Sequence, residues 1–288
     1  MTRQTVTIRA SSLSSYPDCA LRAAANTQSR LFEAAGFALH PPSTNFGALI
    51  GSGVHAGAEV ALKGKMLGDS VPLSTCEDAA IGEYRERRRR EADGKILIGD
   101  ETAGDHNQAE AQVRRMLDRY RRDVVTSAEP VAVERRIEAD VMDGVILSGQ
   151  SDLLHLDRGQ DQASPQEIVR DLKTTRRRSM HPMAHAPQCG AYSLLFRSRG
   201  HDPTAARIDL LPRVRLAKPQ PPVERKDLDI QAAEQIAHAV VQEFGTKLLA
   251  FAQDGDARRF VPNPGSFLCS RKFCRLHGQP GCPATKDR

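Results

Sequence analysis

Two charged residues interrupt an apolar run in the middle of the chain. The stretch "EIVRDLKTTRRR", residues 167–178, predicts a buried strand, and Asp171 and Lys173 lie two positions apart within it. Because side chains alternate along a strand, both residues point to the same face of the sheet. Two interpretations follow. The pair is either a salt bridge at a sheet edge or part of a reaction centre that combines a carboxylate with a cation.

A second carboxylate occupies a similar place in the preceding apolar stretch. Asp152 lies in "LSGQSDLLHL", residues 147–156. A buried acid is costly unless it is paired or bound to a metal. Neighbouring antiparallel strands would bring Asp152 close to Asp171, and two carboxylates favour a hard divalent cation such as Mg²⁺ or Mn²⁺. Lys173 on the same side can stabilise charge on a phosphate or orient a water molecule.

The elements that must position these residues form a strand meander. Residues 131–157 carry β-branched side chains in short runs, and Asp143-Gly144 between them is a strong hairpin signal. A second turn at about 158–165 precedes the strand at 167–173. We therefore expect three consecutive antiparallel strands.

Segments with the residue spacing of helices flank this meander on both sides in the sequence. Further along the chain, residues 206–214 predict a strand and residues 217–225 a Pro-rich loop. The predicted helices cover residues 12–35, 45–63, 76–94, 104–126, 181–200 and 227–254. This order predicts a mixed α/β (α+β) fold, in which a central mixed sheet is flanked by helices.

The chain is expected to form one domain over residues 1–288. It would comprise an N-terminal helical region at 1–128, a core at 129–256 and a Cys-rich tail at 257–288. The tail is rich in turn residues and cannot bury much apolar surface, so it needs a covalent or metal staple if it is ordered.

The composition is that of a soluble globular protein, with 40% hydrophobic and 27% charged residues. No apolar run of about 18 residues is present, which excludes a membrane-spanning helix. The first nineteen residues lack the apolar core of a signal peptide. We therefore expect a cytoplasmic protein, encoded by a bacterium or a phage.

Basic residues exceed acidic residues by 41 to 36, and their distribution is uneven. The run at 85–90, "RERRRR", contains a glutamate and predicts a solvated helix face. Arg176, Arg177 and Arg178 follow the central strand directly and are candidates for contacting phosphates. Trp is absent and aromatic residues are only 5%, which argues against recognition by rows of stacked aromatic rings.

Three of the six cysteines fall in the last twenty residues. Without a secretion signal, disulfides are not expected. The concentration indicates a bound metal ion or cluster. Cys76 and Cys189 are not clustered with other cysteines, and we expect them to be small buried apolar side chains.

"GQSD" followed by "DLK" resembles the PD-(D/E)XK nuclease superfamily, and "IVRDLKTT" is similar to the form found in RecB-type nuclease domains. That subgroup has a helical His upstream and a Gln-x-x-x-Tyr helix downstream. His55 in "GSGVHAGAEV" and Gln188 and Tyr192 in "PQCGAY" stand at the matching places. The resemblance covers roughly residues 10–282.

The resemblance implies a metal-dependent DNA nuclease, most similar to exonucleases that act on single strands or duplex ends. It implies Lys173 as the catalytic lysine, and Gln188 and Tyr192 near the DNA or the lysine. Glu134 matches an acid often found on the first strand, and its reach to the metal is left open. The implied ligands of Mg²⁺ or Mn²⁺ are His55, Asp152, Asp171 and the Leu172 carbonyl.

One branch of RecB-type nucleases places a single N-terminal cysteine with three C-terminal ones around an iron–sulfur cluster. The branch includes CRISPR-associated exonucleases and the AddB nuclease domain. The implied ligands of a [4Fe–4S] cluster here are Cys19, Cys269, Cys274 and Cys282. The tail spacing, C-x₄-C-x₇-C, departs from the family's commonest C-x₂-C-x₅-C. Zn²⁺ is therefore the alternative, and His277 could serve as one of its ligands.

Expected partners follow from the same resemblance. DNA would be bound mostly through its backbone, because no sequence-reading module is evident. No Walker A motif is present, so any helicase would be another chain, within a recombination, repair, phage or CRISPR pathway. Two alternatives stay open: a zinc-stabilised endonuclease, and a protein of the same fold that binds DNA without cutting it. No pattern indicates an oligomeric state.

Overall fold

A computed structural model gives the fold and describes residues 5–92, 96–98, 105–158, 165–176 and 181–282. A six-stranded mixed sheet lies at its centre, and helices pack on both faces. This architecture confirms the predicted mixed α/β fold class. Within the described residues, no helix is both long enough and apolar enough to cross a lipid bilayer.

Eight strands and eight α-helices make up the described chain, together with short 3₁₀ and π turns. The strands are β1 (Val6–Arg9), β2 (Ser43–Asn45), β3 (Ile96–Ile98), β4 (Glu129–Met142), β5 (Val145–Asp157), β6 (Gln166–Thr175), β7 (Pro203–Pro212) and β8 (Glu224–Leu228). The helices are α1 (Ala10–Leu13), α2 (Ala20–Thr27), α3 (Ser29–Ala34), α4 (Phe46–Met66), α5 (Leu73–Ala92), α6 (His106–Tyr120), α7 (Ala186–Arg197) and α8 (Ile230–Asp254).

The meander of β4, β5 and β6 is antiparallel throughout, as the sequence predicts. Gly144, at φ 75°, supplies the left-handed residue of the turn between β4 and β5. Strand β7 then pairs parallel with β6, and β8 closes that side of the sheet antiparallel to β7. Strands β2 and β3 form a separate small parallel pair.

Strand β5 has one continuous edge and one shared edge. Along one edge, β5 pairs with β4 over residues 145–156. The other edge pairs with β1 over residues 145–148 and with β6 over residues 153–157. Residues 149–152 therefore lie in a gap, where no described strand continues the ladder. We call these four residues the β5 gap.

Two apolar layers cover the sheet. Helices α7 and α8 and the N-terminal helices pack on one face, where Phe32 stacks against Phe251 at a centroid distance of 4.4 Å. Helices α4, α5 and α6 pack on the other. There Gly57 allows close approach of α5, because a Cβ on it would lie 2.8 Å from the carbonyl oxygen of Cys76. Cys76 and Cys189 are fully buried, which confirms the prediction for both.

The structure departs from the predicted elements in several places. The single helix expected over 12–35 is α1, α2 and α3, because Pro17 lacks a backbone donor and Cys19 adopts an extended conformation that caps α2. The N-terminal strand β1 was not predicted. The segment at 217–225, predicted as a loop, ends in β8, and α8 begins at Ile230, where the Asp229 side chain accepts hydrogen bonds from two backbone N–H groups.

Candidate active site

The β5 gap brings a carboxylate to the centre of the sheet. The β5–β6 ladder ends at the pair Leu153 and Arg170, so the next opposed residues are Asp152 and Asp171. Instead of continuing the ladder, the Leu172 backbone N–H donates to Asp152 Oδ2 at 2.6 Å. The strands thus separate at this point, and the hydrogen bond holds the Asp152 carboxylate between them.

Helix α4 places His55 above this gap. Its Nε2 lies 2.9 Å from the carbonyl oxygen of Leu172. Its Nδ1 lies 3.4 Å from Asp152 Oδ1 and 3.5 Å from Glu134 Oε1. Burial lowers the pKa of His55, but the two carboxylates outweigh it and raise the pKa to about 10. The surroundings of His55 thus favour a positive charge strongly.

Glu134 joins the site through an unusual backbone conformation. It lies on β4 between Val133 and Arg135, which pair with Leu153 and Ser151, so it is opposite Asp152. Its φ is +47°, the only positive value among the described residues other than glycine. This conformation costs a non-glycine residue about 1–2 kcal/mol, and such strain concentrates at functional sites. The Glu134 carboxylate also accepts a hydrogen bond from Gln150 Nε2 at 2.8 Å.

His55, Glu134 and Asp152 each offer a ligand atom, and these atoms lie within 4.8 Å of one another. Two carboxylates and an imidazole, beside the Leu172 carbonyl, are a donor set of mainly hard ligands that suits Mg²⁺ or Mn²⁺. The raised pKa of His55 reports the same demand for positive charge. The residues present therefore fit a divalent cation.

Asp171 and Lys173 form the second half of the site. Lys173 Nζ lies 3.0 Å from Asp171 Oδ1 and 2.9 Å from Oδ2. Gln188 Nε2, from α7, lies 3.2 Å from Asp171 Oδ1 and 2.8 Å from the Tyr192 hydroxyl. Strand β6 lies between β5 and β7, but its pairing with β5 ends at Arg170, so the ion pair lies at the local opening beside the β5 gap.

Charge states in this half follow from burial and neighbours. Burial lowers the pKa of Lys173, but Asp171 and Asp152 outweigh it and raise the pKa above its ordinary value. Lys173 therefore remains a positively charged ammonium group. Burial, reinforced by Lys173, lowers the pKa of His185 to about 4. Burial raises the pKa of Tyr192, which remains a neutral hydroxyl.

The strand that carries Asp171 is also fixed from its opposite face. Arg170 forms a buried ion pair with Asp209 of β7, in which Arg170 Nη2 lies 2.6 Å from Asp209 Oδ1. The Tyr120 hydroxyl from α6 donates to the same carboxylate at 3.5 Å. These contacts join β6, β7 and α6 directly behind the site, which restrains the position of Asp171.

Arginines line the cleft outside these groups. The cleft measures about 640 Å³ and contains His55, Glu134 and Lys173 on its wall together with Arg87 and Arg213. Sequence reasoning missed both arginines. Arg213 directly follows β7, just as the predicted run follows β6, and that position was the available signal. Arg87 belongs to a run interpreted as a solvated face.

Of the predicted arginine run, Arg176 lies exposed just after β6. Arg177 and Arg178 lie outside the described residues. The structure therefore places only the first of the three, and the role of the run stays a prediction.

Four cysteines far apart in sequence line one small cavity. Cys19, Cys269, Cys274 and Cys282 share its wall with His277. Burial raises the pKa of Cys274 to about 11, and Cys282 and Cys19 add to that effect. Among the described residues, the only group of three or more His, Cys, Asp or Glu side chains with ligand atoms within 4.8 Å of one another is the one around His55.

Hydrogen bonds tie the Cys-rich tail to the N-terminal helices. The His40 backbone N–H donates to the Arg275 carbonyl at 2.7 Å, and Arg275 Nε donates back to the His40 carbonyl at 2.7 Å. Asn26 bonds to the Phe273 carbonyl at 2.8 Å and accepts from the Arg275 N–H at 3.0 Å. The tail is therefore an integral part of the fold around α2 and α3.

Comparison with known proteins gives one strong result. The model of the PD-(D/E)XK nuclease superfamily matches residues 7–279. A search of curated proteins finds no match. Among solved structures, 23 chains match. One, described as "Crystal structure of SSO0001", is 13% identical, covers 78% of this chain and 91% of its own, and has a TM-score of 0.25, too low to support any argument.

The family match spans the strand meander, His55 and the Gln188–Tyr192 helix. Members of this superfamily hydrolyse phosphodiester bonds and use divalent metals such as Mg²⁺ or Mn²⁺, which agrees with the donor set in the β5 gap. The chain belongs to the PD-(D/E)XK nuclease superfamily.

Proposed function

We propose that this chain is a RecB-type DNA exonuclease that hydrolyses single strands or duplex ends. One observation carries the proposal: His55, Glu134 and Lys173 line a single cleft, where His55 lies beside Asp152 and Lys173 beside Asp171. One part supplies metal ligands and the other a fixed cation, and phosphodiester hydrolysis uses both.

The proposed ligands of Mg²⁺ or Mn²⁺ are His55, Asp152, Asp171 and the Leu172 carbonyl, to which Glu134 is added on its proximity. When bound, the divalent ion polarises the phosphodiester and lowers the pKa of a water molecule. The Leu172 N–H orients the Asp152 carboxylate through their 2.6 Å hydrogen bond. Glu134 is held in turn by Gln150.

Lys173 contributes a positive charge for the phosphate oxygen that becomes more negative during hydrolysis. Asp171 keeps the ammonium in place, and Gln188 restrains Asp171. Tyr192 completes the chain of contacts through its bond to Gln188. In this proposal Gln188 and Tyr192 are positioning residues, because their contacts reach the reacting groups through Asp171.

The proposed substrate is DNA, bound mainly through its backbone. Arg87 and Arg213 on the cleft wall support this, since arginine forms strong charge-assisted bonds with phosphates. Arg176, Arg177 and Arg178 are proposed to guide the strand toward the cleft. A helicase, recombination or CRISPR protein is the proposed partner class, in the cytoplasm of a bacterium or of a phage-infected cell.

The cysteine cavity is proposed to hold a [4Fe–4S] cluster that staples the tail of a single 1–288 nuclease domain. Four cysteine side chains on the wall of one cavity support it, since cysteines are the usual ligands of such a cluster. Zn²⁺ stays the alternative, because His277 lines the same cavity and could serve as one of its ligands.

The colour of the purified protein tests the cluster. A brown protein that absorbs at about 400 nm, and bleaches when oxidised, is expected for iron–sulfur. A colourless protein with one zinc per chain contradicts the proposal and favours the zinc-stabilised alternative.

Linear and circular single strands test the exonuclease proposal. With Mn²⁺, the wild-type chain is expected to degrade an end-labelled linear strand and leave a circular strand of the same sequence intact. Cleavage of the circle would indicate an endonuclease. If neither substrate is cut while DNA is bound, the chain is the non-cleaving alternative. Lys173→Ala is the matched inactive control.

A further inference from the structure

A second groove continues the active-site cleft across the sheet. It measures about 520 Å³ and shares Arg87, Glu134 and Gln150 with the cleft. Arg9 and Arg136 line its far part. The two cavities therefore form one path, and the His55 group lies along it.

The β5 gap produces this groove. Strand β1 ends at Arg9, which pairs with Ser148, and β6 begins to pair only at Leu153. Gly149 and Gln150 lie between them and line the groove. Gly149 also lets α1 and α7 approach, because a Cβ on it would lie 2.7 Å from the Leu195 side chain and 3.1 Å from Ala10. The groove thus passes directly from Arg9 to the carboxylates of the proposed metal site.

Three arginines set the charge of the groove. Arg9 is exposed, and its side chain has no hydrogen bond or ion pair within the part of the chain that the structure describes. Arg136 lies 3.7 Å from Glu138, and Arg87 lies 2.6 Å from Glu83; both are exposed ion pairs. Such pairs contribute little free energy, so an anionic ligand can replace them.

The acids of the groove do not cancel this charge. Glu134 is the acidic side chain among the described residues that line it, and it belongs to the proposed metal site. A ligand that runs along the groove therefore meets arginines first and the metal ligands next. The ligand chemistry that suits such an order is a chain of phosphates at regular spacing.

We propose that Arg9, with Arg87 and Arg136, binds backbone phosphates of the substrate strand beside the scissile position. The inference rests on the proposed nuclease function and assigns the side of the site on which the bound strand lies. Arg9 is the principal contact, because its guanidinium group needs no partner to be displaced.

Salt-dependent binding tests this assignment. A fluorescein-labelled 12-nucleotide single strand is titrated in the Lys173→Ala background, which prevents cleavage, at several salt concentrations. Arg9→Gln is expected to weaken binding on the order of tenfold and to reduce the slope of log K against log salt by about 0.7. Arg136→Gln gives a second variant with the same expected direction.

The matched control is Arg89→Gln. Arg89 lies on α5 near Arg87, is exposed, pairs with Glu86 and lines none of the cavities described here. The control makes the same change in net charge and is expected to leave both affinity and slope near those of the parent. If Arg9→Gln and Arg136→Gln behave like this control, the assignment is wrong.

Two further arms separate the outcomes. DNA strands with a 5′-phosphate, a 3′-phosphate or hydroxyl ends are compared. They show whether Arg9 contacts an internal phosphodiester or a terminal phosphate. A loss of affinity in Arg9→Gln for either class of strand supports the phosphate contact. If wild-type protein neither binds nor cuts DNA, the proposed function fails and this inference fails with it. If wild type cuts DNA but Arg9→Gln binds normally, this inference alone fails.

Discussion

The strained backbone at Glu134 makes a prediction with an inverted sign. In an ordinary strand, glycine is less stable than alanine by about 0.5–1 kcal/mol, because it loses more conformational freedom on folding. Glu134 is at φ +47°, where a residue with a Cβ carries about 1–2 kcal/mol of strain and glycine carries none. We therefore expect Glu134→Gly to be more stable than Glu134→Ala.

The size of the difference follows from these two terms. Relief of strain favours glycine by about 1–2 kcal/mol, and entropy opposes it by about 0.5–1 kcal/mol. The expected net difference is about 0–1.5 kcal/mol in favour of glycine, with a midpoint of about 0.75 kcal/mol. For 288 residues, with an unfolding entropy of about 2.1 cal/mol/K per residue, the midpoint difference corresponds to about 1 °C in the unfolding midpoint.

Urea denaturation of the two variants at 25 °C measures the free energy of unfolding directly. Both variants lack the carboxylate, so lost contacts to His55 and Gln150 are the same and cancel in the comparison. If alanine is more stable than glycine by about 0.5–1 kcal/mol, as in an ordinary strand, the left-handed conformation at residue 134 is wrong. The inference that strain presents this side chain to the site would then be wrong as well.

Three further predictions concern other parts of the molecule. Mn²⁺ at a hundred times its dissociation constant should stabilise the wild-type chain by about 2.7 kcal/mol in calorimetry, and Asp152→Asn should abolish most of that gain. Burial and the charge of Arg170 lower the pKa of His155 to about 4, so the folded chain resists protonation there. The stability that depends on a neutral His155 is fully present above about pH 6.5. The free energy of unfolding should fall by up to about 3 kcal/mol as the pH falls to 4. His155→Leu should flatten that part of a pH series of urea midpoints. A Cβ on Gly190 would lie 2.0 Å from the Ala233 carbonyl oxygen, so Gly190→Ala should cost about 3 kcal/mol of stability. Gly82→Ala, with nothing within 4 Å, should instead stabilise α5 slightly.

The strand meander was predictable because its signals are local. Asp143-Gly144 specifies a tight turn, and period-two alternation places Asp171 and Lys173 on one face. The short strands β1 and β8 were not predictable in the same way. "VTIR" in β1 and "ERKDL" in β8 are short and charged, so neither differs from a loop until a neighbouring strand supplies hydrogen bonds.

The site was predictable in part for the same reason. Pairing of consecutive strands brings Asp152 opposite Asp171, and helical spacing puts Gln188 and Tyr192 on one face. The contribution of Glu134 was not predictable. Its left-handed backbone conformation within a strand depends on tertiary contacts, and residue types do not indicate it. Arg9 was not recognised as a candidate, because the strand that carries it, β1, was not predicted.

In the proposed function, the side chains around the β5 gap and Lys173 hydrolyse DNA with a divalent ion. The most direct test is Mn²⁺-dependent release of nucleotides from an end-labelled strand by wild type, Asp152→Asn and Lys173→Ala. We expect rapid release by wild type, and a loss of about 100-fold or more in each variant with the fold unchanged by circular dichroism. If wild-type protein is inactive on both single-stranded and duplex DNA, or if either variant is fully active, the proposed hydrolysis by these residues is wrong.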